Sequence, residues 1–394
     1  MAYAEQTSTP LYRDERFLGI INQVVVVALV AGVLVFLYSN MVTALRTQKE
    51  VPISYDFLHD TAGFNLGEST IAFTRTDPIH RAMLVGLLNT FKVSIAGIAL
   101  ATMLGTFIGV MRLSTNFLVS KIAWAYINVF RNIPPLLLLI FWYRAVFLKL
   151  PRVQEAIVLF DPVFPIYIAN RGLFFPWGTP TASWSTYRWI LLAGFALAAV
   201  VAYRLRQHGK RTGRMPLVTL WFAVILLVVT LFGYVILPDP LEITKPALKG
   251  FNIRGGASLS LEFWGLLFGL VIYAAAYIAE AVRAGILSVD RGQREAARAL
   301  GFSSFNIMRL VILPQAIRVV VPPLISYAIG FTKNTSLGLA IGYTDFFAIT
   351  GGLILNNTGR AVETLTIILL VYLTISLIAS LVLNMYNRRI MLSH

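Results

Sequence analysis

The sequence predicts an all-α membrane protein of about eight transmembrane helices. Three observations lead there. Of 394 residues, 57% are hydrophobic and only 13% charged, and the mean hydropathy is +0.74. A soluble protein this apolar would expose large sticky patches, so the bilayer is the expected solvent. Eight apolar runs are each long enough to span a hydrocarbon core, which takes about 20 residues. Lys and Arg cluster beside those runs, as the positive-inside rule requires, so the net charge of +15 reads as topology and no nucleic-acid partner is expected.

The runs fall near 18–39, 84–111, 130–150, 187–204, 216–237, 259–282, 310–332 and 363–386. The first is too long for the apolar region of a signal peptide, and no small-residue cleavage site follows Tyr38-Ser39-Asn40, so it reads as an uncleaved span. The loop from Arg204 to Arg214 carries several bases and no acid, which places it in the cytoplasm. Alternation then puts both termini and the 283–309 loop on the same side. Arg13, Arg16, Arg388, Arg389, Arg283, Arg291, Arg294, Arg298 and Arg309 lie there. The stretches near 40–83, 151–186 and 238–258 are expected outside.

Two segments resist this scheme. Residues 336–355 are moderately apolar but hold Asp345 and several glycines, and read as a partial or interfacial segment on the outer side. Residues 150–186 are proline-rich, with Phe174, Phe175, Trp177 and Trp184, and read as an outer loop with interfacial anchors. The chain has no Cys, which excludes disulfides and thiol chemistry, and its four His show no metal-ligand spacing. No GxxxxGK[ST] loop is present, so no cofactor and no ATP site of that type is expected on this chain.

The most informative stretch runs from Glu295 to Pro314. Glu295-Ala296-Ala297-Arg298-Ala299-Leu300 has high helix propensity. Gly301 supplies a left-handed stop, Ser303 or Ser304 caps a second short helix through Phe305–Met308, and Pro314 lies early in the next span. Two short helices on a glycine hinge, with small Ala faces and charged ends, suit a partner's groove at the membrane face.

This stretch resembles the EAA loop of ABC-importer permeases, E-A-A-x3-G-x9-I-x-L-P. Glu295, Ala296, Ala297, Gly301, Leu313 and Pro314 fit, and Val311 stands where Ile is usual. Four flanking blocks resemble the polar amino-acid branch of that family. They are Gly86-Leu87-Leu88-Asn89-Thr90, Arg131-Asn132-Ile133-Pro134-Pro135-Leu136-Leu137, Tyr277 to Ile286 with Gly292-Gln293, and Lys333-Asn334-Thr335-Ser336-Leu337. Residues 1–83 then form an N-terminal span and outer loop. Residues 84–394 form a type I permease domain, interrupted at about 151–257 by an inserted pair of helices. That layout is similar to the larger permease subunits of general L-amino-acid importers.

The resemblance implies an ATP-driven importer subunit in the bacterial inner membrane, catalysing no covalent reaction itself. Its loop would dock a cytoplasmic ATPase dimer. A homologous second permease would complete a heterodimer, and a periplasmic amino-acid-binding protein would deliver the substrate. The alternative is a stand-alone secondary amino-acid transporter, which would need ion-coupling carboxylates inside its spans; a membrane-embedded enzyme would need a nucleophile–base set or a metal cluster.

Candidate residues for a substrate path or gate are Glu280, Asn334, Thr335, Ser336 and Arg144. Glu280 reads equally as a carboxylate paired with Arg283. Arg144 reads as a carboxylate fork or as a side chain snorkelling to the headgroups. Lys333 to Ser336 marks a point where helix gives way to irregular backbone, a break tolerated only against protein or a polar cavity. Arg131 reads as an interface charge, and Asn89 and Thr90 as hydrogen-bonding groups between helices.

Overall fold

The computed structural model describes residues 15–47, 53–212 and 217–391. The chain divides into two units at Phe57/Leu58. The first holds α1 (Glu15–Thr47), whose apolar window Gln23–Asn40 satisfies the length and composition of a span. Arg13 and Arg214, members of the basic clusters, fall outside the described residues.

The second unit begins its helices with α2 (Ile79–Met111), preceded by an extended segment. A short turn leads to α3 (Phe117–Asn132), whose N-cap Asn116 accepts hydrogen bonds from the Leu118 and Val119 N–H groups. The span expected at 130–150 is corrected here. α3 stops at Asn132, and α4 (Pro135–Phe141) continues at 103° to it. The cause is Pro134, which forces Ile133 into extended backbone (φ −92°, ψ 127°) and removes a helical N–H. Counted as one bent span, the pair Phe117–Asn132 and Pro135–Lys149 brings the seven single helices of the described residues to eight.

After a π-helical turn (Trp142–Val146), the stretches expected as outer loops fold into small antiparallel sheets. The strands are β1 (Ile157–Leu159), β2 (Ile166–Ala169), β3 (Gly172–Phe175), β4 (Trp177–Pro180), β5 (Leu241–Thr244), β6 (Ala247–Lys249), β7 (Asn252–Arg254) and β8 (Ala257–Leu259). They pair as β1-β2-β3-β8, β4-β5 and β6-β7. Between β4 and β5 runs a helical hairpin, α5 (Trp184–Thr212) and α6 (Val218–Ile236). Its helices meet at small residues: Gly194 lies against Val229 and Gly233 against Tyr187, whose hydroxyl donates to the Thr230 carbonyl at 3.0 Å. The aromatics expected as anchors divide: Phe174 and Phe175 lie half-buried in β3, Trp184 opens α5, and Trp177 is exposed.

The core is built on α7 (Leu261–Leu287), N-capped by Ser260 and packed against α2, α3, α4 and α10 (Leu313–Asn334). One α2 face carries small residues every fourth position, Gly97, Ala101, Gly105 and Gly109, all buried, with Gly97 against Phe331 of α10 and Gly105 and Gly109 against α7. Small residues let two backbones approach closely enough for dispersion to hold them where lipid removes the hydrophobic drive. A side chain at Gly109 would meet the Ala279 carbonyl oxygen at 2.6 Å.

Residues 336–355, expected as a partial or interfacial segment, lie within a largely buried stretch from 335 to 358. A 3-10 turn (Thr335–Ile341), Gly342 at φ +85°, a π-helical stretch (Ala348–Ile354) and α11 (Leu355–Thr358) lead into α12 (Ala361–Met391). Asn89 and Thr90 hydrogen-bond to this irregular backbone, where a partner helix was expected. The Asn89 amide donates to the Thr344 carbonyl at 2.8 Å, and the Phe346 N–H donates to Thr90 Oγ1 at 3.0 Å.

Candidate functional site

The stretch around Glu295 forms a rigid elbow. α8 (Arg291–Ala299) starts under an Asp290 cap and ends in a Schellman turn. Phe302 N–H bonds to Ala297 O at 3.1 Å and Gly301 N–H to Arg298 O at 2.9 Å, with Gly301 at φ +78°. Ser303 then caps α9 (Ser304–Asn306). The second helix does not stop before the next span, as expected from the sequence. It passes through a π-helical stretch (Ile307–Ile312) into α10, so Ser304–Ile341 reads as one span. The wide turns precede Pro314, which has no N–H to give a regular ladder.

Ala297 faces inward, while Glu295, Ala296, Gly301, Leu313 and Pro314 are exposed. The elbow also exposes Leu300 (76%) and Phe305 (70%), an apolar surface that the charge-and-alanine pattern alone does not announce.

The far end of α10 meets α7 around a cavity of about 200 Å³. Asn334, Ser326 and Tyr327 line it from α10, and Tyr273 and Tyr277 from α7. Tyr273 donates to the Tyr277 hydroxyl at 3.3 Å, and the Tyr277 and Tyr327 rings lie 5.8 Å apart. Hydroxyls, an amide and aromatic faces suit a small polar solute.

The residues around Asn334 diverge. Thr335 is fully buried and donates to the Thr332 carbonyl at 2.9 Å and to Asp345 Oδ2 at 3.4 Å. Ser336 bonds back to the Lys333 carbonyl. Arg144 is exposed, one residue past Tyr143, which turns inward to donate to Glu262 at 2.8 Å. Of the candidates for a path, Asn334 alone lines this cavity.

Glu280 makes a two-pronged ion pair with Arg283, at 3.0 and 2.6 Å. The pair lies on the wall of a second cavity of about 240 Å³, which Arg112, Arg131 and Asn128 also line. Sequence reading passed over Arg112, and over the tyrosines as a set. The 4-then-3 spacing of Tyr273, Tyr277 and Glu280 on one helix face was the available signal.

A buried polar network braces the other end of the core. Glu68 accepts from Lys92 and from the Ser260 N–H, and its backbone carbonyl accepts from Asn89 and Thr344. Asp345 caps the π-helical stretch through the Ala348 N–H at 2.8 Å. Burial pushes its carboxyl up to about 7, against opposing hydrogen bonds from the Ala348 and Phe347 N–H groups, Thr335 and Tyr372.

Residues 97–392 match the family described as binding-protein-dependent transport system inner membrane component. The chain is 38% identical over 380 residues to the general L-amino acid transport system permease protein AapQ of Rhizobium johnstonii, covering 96% of this chain and 94% of that protein. It is 41% identical over 372 residues to the putative amino-acid ABC transporter permease protein YhdX of Escherichia coli K12, covering 93% of each. It is also 37% identical over 415 residues to the glutamate/glutamine/aspartate/asparagine transport system permease protein BztB of Rhodobacter capsulatus, covering 97% of this chain and 96% of that protein.

Proposed function

The chain belongs to the binding-protein-dependent transport system inner membrane components and is an amino-acid ABC transporter permease subunit, and on that premise we propose that it carries L-amino acids inward, driven by a cytoplasmic ATPase through the 295–314 elbow. The observation that carries this reading is the continuity of α9, the π-helical stretch and α10. One helical rod begins at Ser304 in the elbow and ends at Asn334 on the cavity wall. At 1.5 Å per residue it is about 45 Å long, enough to cross a bilayer.

A load at Phe305 is passed along this helix toward the cavity wall as it shifts between discrete packed arrangements, with Pro322 and Pro323 as the point where its hydrogen-bond ladder is interrupted. Leu300 and Phe305 offer the ATPase an apolar seat, and Glu295 and Arg298 set its register. Gly301 fixes the angle between the two arms. The cytoplasmic placement of the elbow and of both termini follows from the basic clusters. The division into residues 1–83 and a permease domain 84–394 interrupted at 151–257 is part of the same reading. So are a homologous second permease completing the path and a periplasmic binding protein delivering the amino acid from the outer side. Asn334 and the three tyrosines contact the amino acid in transit, with Thr335 and Ser336 shaping the helix end behind them. Glu280 stands on the inner side of that path, and Arg144 meets the headgroups.

The test is reconstitution in liposomes of this chain with its second permease, ATPase and binding protein. ATP-dependent uptake of labelled L-amino acids is the expected result. Equal uptake by this chain alone, without ATP, would make it a secondary transporter and overturn the reading.

A further inference from the structure

The second cavity is not explained by coupling or by the tyrosine cavity, and its chemistry is distinctive. Three guanidinium groups, Arg112 from the end of α2, Arg131 from α3 and Arg283 from α7, surround one carboxylate, Glu280. Glu280 is matched by Arg283, so two positive charges are left over on one small cavity wall.

The site is also joined to the tyrosine cavity. Tyr273, Tyr277, Glu280 and Arg283 follow one another along α7 at helical spacing, the first two on one cavity and the last two on the other. Arg131 sits at the junction. Its guanidinium lies over the Tyr277 ring, 5.0 Å from the centroid, and its backbone carbonyl accepts from the Tyr277 hydroxyl at 3.2 Å. A planar guanidinium stacked on an aromatic face is held in orientation while its N–H fork still points outward.

We infer that this cavity is a second station on the path, binding the side-chain carboxylate of acidic amino acids through Arg131 and Arg112, while the Glu280–Arg283 pair offers an acceptor to the α-ammonium group. The inference rests on the proposed amino-acid transport and narrows its substrate class. The excess of two positive charges favours L-glutamate and disfavours L-lysine. Guanidinium forks also fit phosphate, so a lipid headgroup is the competing source of the same chemistry.

The natural chain has no cysteine, so Asn128→Cys places one thiol on the cavity wall. In the reconstituted complex, L-glutamate is expected to slow labelling of that thiol by a membrane-impermeant maleimide, and L-lysine to leave it unchanged. Adding Arg131→Gln abolishes the protection. Arg131→Gln alone lowers glutamate uptake about tenfold relative to lysine uptake, the loss expected for one charge-assisted contact, and Arg131→Lys restores part of it.

Equal loss for both amino acids, or equal protection by both, overturns the inference. So does protection that follows the anionic-lipid content of the vesicles and ignores glutamate, which assigns the site to a headgroup. Should Arg131→Gln fail to assemble, labelling of Asn128→Cys alone still decides. A wild-type complex that takes up no amino acid overturns the transport reading itself. Uptake with glutamate unaffected by Arg131→Gln overturns only this inference.

Discussion

Gly105→Ala adds one methyl group to the seam between α2 and α7. Its Cβ would lie 2.7 Å from both Cβ and Cγ2 of Ile278 and 2.8 Å from the Ala275 carbonyl oxygen. The Ile278 Cβ and the carbonyl are fixed to backbone, so no rotamer change relieves the clash. Ordinary contact begins near 3.4 Å, so the helices must part by about 0.7 Å. A gap of that size forfeits about a quarter to a half of each dispersion contact along the seam. Overpacking of this kind costs about 1–3 kcal/mol.

Gly→Ala also gains about 0.5–1 kcal/mol of helix propensity, which a control removes. At Gly330, in α10, an added Cβ would meet nothing within 4 Å. Gly330→Ala therefore keeps the propensity gain without the clash, and the difference between the two variants isolates the packing cost. Unfolding midpoints of the purified chain in detergent, by intrinsic fluorescence, should put Gly105→Ala below Gly330→Ala by an amount equivalent to about 1–3 kcal/mol. Equal midpoints, or Gly105→Ala the higher, would refute close packing at this seam.

Gly301→Val forces a β-branched residue to φ +78° in open space, a strain of about 1–2 kcal/mol. It should reduce ATPase co-purification and ATP-driven uptake while membrane insertion stays normal, with Gly301→Asn intermediate because Asn tolerates that region; unchanged co-purification would count against the elbow. Asn89→Ala strands half-buried backbone carbonyls of Glu68 and Thr344, at about 1–3 kcal/mol for each group left unsatisfied, and a fall in unfolding midpoint measures it. The carboxyl of Asp345 titrates near 7 when folded, above the 3.8 usual for an aspartate side chain. The folded state therefore holds the proton more tightly, and stability falls as pH rises from about 4 to about 7, then levels off. Asp345→Asn should remove that slope, so the wild-type-minus-variant midpoint should decline across this window; a flat difference would show that the group is not perturbed.

The helices were legible because bilayer thickness sets their length. Seven apolar runs needed no tertiary information, and the Gly301 stop was readable because a left-handed helix end selects for glycine. The bent span was misplaced because hydropathy counts apolar residues without asking where Pro134 removes an N–H. The sheets were missed because strands as short as Ile157–Leu159 carry too few residues for an alternating pattern to stand out. Asn89 was read as a bond between helices because its partner Thr344 lies 255 residues away, on backbone with no period. The Arg112–Arg131–Glu280 cavity joins three helices and was invisible for the same reason, although Glu280 itself stood out as a charge in an apolar run.

The small sheets fix how the α5–α6 pair leaves and rejoins the chain. Thr179 pairs with Glu242 across β4 and β5, immediately before α5 and after α6, and Leu173 pairs with Leu259 at the threshold of α7. The detour is thus closed at its own doorway. The chain comes back to the strands it left, so α7 starts from the same small sheets that lead into α5. Two helices with clasped ends return the chain to the strand it left, so the stretch from β4 to β5 is a loop closed on itself by its own hydrogen bonds.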